Sequence, residues 1–192
     1  MPLNIAVVYG SVREQRQGVK GARFVAKQLE MRGHQVVFVD AKEYNLPLLD
    51  RRYSDYEAGK APEALQRLAG IFTEADAFVL VTGEYNHGIP PALKNLLDYF
   101  MGPYSFKPSA IASYSGGPFG GVRAAIQLRE VAAELKMPAI PTNFAMSAVH
   151  SSFDEESNAV DASYNDGVKR FLDELEWYAY ALKAARGKGV PY

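Results

Sequence analysis

The chain contains no cysteine. That excludes disulfide staples, thiolate zinc sites and cysteine nucleophiles, and it accords with a reducing compartment. Histidine is nearly as scarce. The three present, His34, His87 and His150, are scattered without ligand spacing, so no metal site is expected. No apolar run outgrows stretches such as AFVLV, far short of a bilayer span, and no transmembrane segment is expected. Neither sign of charge is in excess. With 21 Lys and Arg against 22 Asp and Glu, the formal net charge is −1, which offers no global field to hold nucleic acid or an anionic membrane. The opening MPLNIAVVYG enters a strand at once, without the basic start and small-residue cleavage site of a signal peptide, so a cytoplasmic location is expected.

What is present describes a globular chain. Hydrophobic residues make up 48% and charged residues 22% of 192 positions, which suits one domain, 1–192, with a real core. Continuous apolar runs at 3–9, 35–40, 77–82 and 109–115 read as strands buried on both faces. A fifth run, AIPTNFAM (139–146), carries Pro141 and reads as an edge strand. Between them, apolar residues recur at helical spacing: Val19, Ala22, Ala26 and Leu29; Leu65, Leu68, Ala69 and Phe72; Leu93, Leu96, Leu97 and Phe100; Leu128, Val131, Ala132 and Leu135; then Val168, Phe171, Leu172, Leu175, Ala179 and Leu182. The stretch 44–62 has no period and is expected to be a long loop. Strict alternation of strand and helix predicts a doubly wound α/β fold, a five-stranded parallel sheet of order 2-1-3-4-5 with helices on both faces. The aromatic run DYFMGPYSF (98–106) suits either core or a subunit contact. Trp177 is expected to be a packing residue.

Such sheets bind ligands beyond the carboxyl ends of their strands. The loops after strands one, three and four are the richest in glycine and polar side chains. GSVREQRQG (10–18) joins a strand to a helix N-terminus, where free N–H groups and the positive helix end attract an anion. Ser11 adds a hydroxyl, Arg13 and Arg16 add planar forks, and Gly18 permits close approach. The spacing is neither GxGxxG nor GxxxxGK[ST], so a single phosphate fits better than a pyrophosphate. A solvated loop with two surface arginines is the plainer reading. TGEYNHGIPPALKNLLDYF (82–100) places Tyr85 and Asn86 between Gly83 and Gly88, where backbone amides can face a polar heterocycle or simply turn the chain into a helix. YSGGPFGG (114–121) is a glycine-rich loop against which a flat ligand can lie, with Ser115 as donor to a ring carbonyl, or a tight turn.

These three stretches together resemble the NADPH-dependent FMN reductase and quinone/azo reductase family of flavodoxin-like proteins, over roughly residues 3–146. The first resembles the family's GSxRxxRxG phosphate loop, the second its PEYNxxxPxxLKNxxD signature and the third its glycine-rich flavin loop. The resemblance implies that Ser11, Arg13, Arg16, Gln17 and Gly18 hold the phosphate of FMN. It implies that Glu84, Tyr85, Asn86 and His87 line the isoalloxazine, largely through backbone groups. Ser115, Gly116, Gly117 and Gly120 would border the ring's other edge. Gly83 stands where the family usually has Pro, which frees φ and is expected to loosen the loop. FMN is then the cofactor, NADPH or NADH the cosubstrate, and a quinone, azo compound, flavin or similar small molecule the electron acceptor, reached by a two-step exchange. No catalytic side chain is required, because the cofactor carries the chemistry. The family is usually dimeric or tetrameric, which implies a homodimer or homotetramer. A non-enzymatic electron carrier, a redox-sensing flavin-binding module and a phosphate-ester hydrolase are the other readings of such a fold.

Overall fold

Five apolar segments pair side by side as parallel strands in a computed structural model that describes all 192 residues. They are β1 (Asn4–Tyr9), β2 (Gln35–Asp40), β3 (Ala77–Gly83), β4 (Ser109–Tyr114) and β5 (Ala139–Met146), in the order β2-β1-β3-β4-β5. The doubly wound, flavodoxin-like layout expected from the alternation is the one observed. β3 and β4 are buried along their whole length, whereas β5 at the edge mixes buried and open positions. That edge tolerates Pro141. The β4–β5 ladder slips between Ser109 and Ile111, opposite the proline that has no N–H to donate.

Period-2 alternation divides each central strand between two cores. Ile5, Val7, Tyr9, Val79 and Val81 face α1 (Gly18–Met31) and α6 (Ser163–Arg186). Ala6, Val8, Phe78 and Leu80 face α3 (Glu63–Glu74), α4 (Pro91–Asp98) and α5 (Val122–Glu134). Each fully buried large apolar side chain contributes about 1.5–3 kcal/mol, so losing the strand register would forfeit both cores at once.

The structure decides one open alternative and corrects two expectations. The aromatic run 98–106 is core: Tyr99, Phe100 and Tyr104 are buried, and Phe100 and Tyr104 pack with Phe72 and Phe78 mostly edge to face at 5.3–6.5 Å. Trp177 is 67% exposed on α6 and packs little. The long 44–62 segment is not wholly irregular. A single turn, α2 (Ala41–Tyr44), precedes it, and a 3-10 turn at Tyr53–Asp55 interrupts it.

At the amino ends of the strands, charges find protein partners. Asp76 accepts from Lys183 at 2.7 Å and from the Asn4 N–H at 3.0 Å, with Arg186 at 3.6 Å. The buried Lys107 ammonium donates to the last-turn carbonyls of α3, Phe72 and Thr73, at 2.7 and 2.8 Å.

Candidate functional site

The carboxyl rim is built differently. In the loop from β1 to α1, the backbone N–H groups of Ser11 through Val19 donate to no protein acceptor. α1 begins without a side-chain cap. Uncapped donors and the helix dipole give this loop a positive potential. Arg13 is exposed and makes no ion pair or hydrogen bond within the protein, and Gln17 stands exposed at the helix entry. Arg16 is placed otherwise. Its guanidinium forks onto Asp40 at 2.5 Å to each oxygen and donates to the Ser11 carbonyl at 2.8 Å. Asp40, at the end of β2, is only 1% exposed and also accepts from the Lys42 N–H. The two arginines of the loop thus differ: Arg13 is free to meet a ligand, while Arg16 is held by the protein.

In the loop from β3 to α4, Tyr85 and Gly88 exchange N–H···O bonds of 2.9 Å in each direction. Asn86 and His87 form the two-residue turn between them, both left-handed at φ 49° and 67°. Both are exposed, and their own N–H groups donate to nothing within the protein. The Tyr85 hydroxyl shares a 3.1 Å hydrogen bond with that of the buried Ser11, tying the first loop to the second. The Glu84 carboxylate turns away to the start of α5. It accepts from the Arg123 and Ala124 N–H groups at 3.0 and 3.4 Å and from the Arg123 guanidinium at 3.3 Å. This carboxylate caps a helix that has no cap of its own. Only the Glu84 backbone is left to face the site.

Tyr114 explains two glycines. A Cβ on Gly18 would stand 2.2 Å from its ring, and one on Gly83 would stand 2.9 Å from it. Gly83 does not use left-handed backbone, so the expected loosening of the loop is corrected: the residue is small because a tyrosine ring occupies the space. The Tyr114 hydroxyl donates to that of Tyr9 at 3.3 Å beneath the loops. Burial pushes both phenols above their ordinary pKa, so they stay neutral. In the loop from β4 to α5, the Ser115 hydroxyl donates to the Gly117 carbonyl at 3.0 Å, not outward. Gly116 and Gly117 are exposed, with open space where a Cβ would be, and Gly120, at φ 60°, lies against Ala145.

A cavity of about 180 Å³ brings Ser11, Arg13, Arg16, Gln17 and Gly18 together with Gly83, Glu84, Tyr85, Ser115 and Gly116. Asn86, His87, Gly117 and Gly120 lie outside its lining. Sequence reasoning missed four of its walls: Gln15, Tyr114, Val149 and His150. The last two follow β5, and the rule that ligands gather beyond strand carboxyl ends would have found them. Asp40 was missed too, although a lone acid closing an apolar strand is a signal of the same kind. No group of three or more His, Cys, Asp or Glu stands ready for a metal. No helix is long and apolar enough to cross a membrane.

The donors here suit an anion bearing a short polyol, and the cavity has that size. A flat ring would lie outside it, on the shoulder formed by the exposed Asn86–His87 turn and the bare Gly116–Gly117 backbone. The residues present therefore fit a flavin mononucleotide, tail inward.

Residues 3–151 match the family model described as NADPH-dependent FMN reductase. The chain is similar to a quinone reductase of Pseudomonas putida, 30% identical over 177 residues that cover 90% of this chain and 92% of the relative. It is 27% identical to an NADPH azoreductase of a Bacillus species, covering 96% and 97% of the two chains. Among solved structures it resembles FerB, a flavoenzyme NAD(P)H:(acceptor) oxidoreductase from Paracoccus denitrificans, with a TM-score of 0.74 at 22% identity, covering 92% of this chain and 98% of that one.

Proposed function

Because the chain belongs to the NADPH-dependent FMN reductase family, it is an FMN-dependent NAD(P)H oxidoreductase, and we propose that it works by a two-step exchange at one open site. FMN, when bound, would supply the redox chemistry, two-electron transfer from a reduced nicotinamide to an acceptor. The protein binds and orients. Arg13, Gln17 and the free N–H groups of the first loop hold the phosphate, with Ser11 fixing Tyr85 beside them. The N–H groups of Asn86 and His87 face the ring edge, where preorganised donors favour negative charge. Gly116 and Gly117 let the ring lie against bare backbone. Arg16 acts at one remove, holding the loop through Asp40.

One observation carries this reading: a small cavity at an uncapped helix start, with a row of unpaired backbone donors and one free guanidinium. The acceptor is a small molecule of quinone, azo or flavin type, the chemistry that the relatives' names describe. We place the protein in the cytoplasm, as one flavin-binding domain per chain, working as a homodimer or homotetramer. Phe119 and Ile126, 61% and 63% exposed beside the glycine-rich loop, support self-association there. The test is direct. Purified protein should be yellow, release FMN on denaturation and bleach with NADPH under nitrogen, and initial rates should give parallel double-reciprocal lines. Colourless protein that takes up no FMN would end the reading. Flavin that NADPH leaves oxidised would reduce the protein to an electron carrier.

A further inference from the structure

A second cavity, about 750 Å³, shares Tyr85 as a wall with the phosphate pocket. It runs between the 41–49 segment after β2 and the first turn of α4. Its volume falls within the range of small-molecule sites. Three hydrogen bonds keep it from collapsing. The Asn95 amide donates to the Pro47 carbonyl at 2.7 Å and accepts from the Leu49 N–H at 2.9 Å, and the Tyr99 hydroxyl donates to Pro47 at 3.0 Å. The walls offer flat faces, Tyr85 and the Pro90–Pro91 pair, and the rim offers Leu48, 84% exposed. A lone exposed leucine means little, but this one edges a preformed concave surface.

The charged features of the groove share one sign. Lys42 lines it and makes neither an ion pair nor a side-chain hydrogen bond. The N-terminus of α4 opens on it through Pro90, Pro91 and Ala92, with no side-chain cap, so the positive end of that helix faces in. No carboxylate lines the groove.

We propose that this groove binds a planar aromatic molecule carrying one anionic group, with its rings between Tyr85 and Leu48 and its charge beside Lys42. Describing that molecule as an electron acceptor rests on the flavin reading above; the binding itself does not, because the groove is made of protein alone. The groove then selects among acceptors, taking sulfonated or carboxylated quinones and azo compounds ahead of their neutral parents.

Equilibrium dialysis against 1,4-naphthoquinone-2-sulfonate and unsubstituted 1,4-naphthoquinone tests this, with protein saturated in FMN and again without it. The sulfonate should bind about fivefold more tightly than the neutral ring, the size of one solvent-exposed charge contact. Lys42→Met, which keeps the apolar stem, should erase that preference and leave the neutral probe unchanged. Leu48→Asp should weaken both probes by about tenfold, as loss of one apolar wall predicts. FMN affinity should be the same in both variants. Unchanged binding of both probes in Lys42→Met and Leu48→Asp would overturn the proposal. So would binding lost only in Arg13→Ala, which would put the probes in the phosphate pocket. Probe binding that disappears as the protein self-associates would mean that a second copy covers the groove, and would also overturn it. Groove-dependent probe binding by protein that never takes up FMN would uphold the site and sink the flavin reading instead.

Discussion

The two ends of the sheet treat polar groups in opposite ways. At the amino rim, Asp76, Lys183, Arg186 and Lys107 find partners in the protein, as do His34, Glu176 and Arg32. At the carboxyl rim, Arg13 and the N–H groups of Ser11 to Val19, Asn86 and His87 find none. A folded chain leaves few donors unpaired unless water or a ligand meets them. The first rim is a clamp that joins the end of α6 to the starts of β1 and β3. The second is a receptor. Arg16 and Asp40 break the pattern, since they form a clamp inside the receptor.

The sharpest test of this contrast is Arg16→Met. It leaves the Asp40 carboxylate buried without its cation, and should cost about 3–5 kcal/mol in urea unfolding of the FMN-free protein. A loss of FMN affinity without loss of stability would show instead that Arg16 belongs to the receptor.

The amino rim is tested by pH. Burial, then the nearby Arg186, lower the pKa of Lys107 to about 8 from its ordinary 10.5, against the opposing pull of Asp76. Between those values the unfolded chain holds a proton that the folded chain has released, so this group's contribution to stability rises with pH across that window. The gain is at most about 3 kcal/mol. Unfolding free energies measured from pH 7.5 to 10.5 should show it as a difference between wild type and Lys107→Met, which lacks the titrating group. Curves that run parallel would mean that the clamp does not strain this lysine.

Arg13→Ala should do the reverse of Arg16→Met. Removing one charge-assisted contact, worth about 1.5–3 kcal/mol, should weaken FMN binding roughly tenfold to a hundredfold and leave the FMN-free protein as stable as before. Fluorescence titration of FMN measures it. The smallest effect belongs to Glu84→Gln. It removes the charge that caps α5 and should lower stability by about 1 kcal/mol in thermal unfolding, with a modest effect on flavin binding. A larger loss of flavin than Arg13→Ala causes would mean that the Glu84 carboxylate faces the ring after all.

Much of the fold was legible because its signals are local. Continuous apolar runs alternating with helical spacing leave little choice but a parallel sheet wound on both faces. The site was legible at the level of loops: three glycine-rich turns beyond strand ends, one of them rich in arginine. Its internal division of labour was not. Arg13 and Arg16 look alike in GSVREQRQG, and nothing nearby reveals that Asp40, contributed by β2, claims one of them. Gly83 suggested a loose turn because Tyr114, its cross-strand neighbour in β4, is far away in sequence. The run 98–106 stayed undecided between core and interface because aromatic residues serve both equally well. Trp177 suggested a core on composition alone.

Composition and periodicity, read without coordinates, settled the architecture, the strand order and the rim where chemistry gathers. Those properties follow from which side chains must leave water at which repeat along the chain. Tertiary structure alone decided which arginine stays free, why two glycines must be small and that a second, larger groove shares Tyr85 as a wall. Each of those depends on contacts between residues that only folding brings together, and no local pattern encodes a partner contributed by another strand.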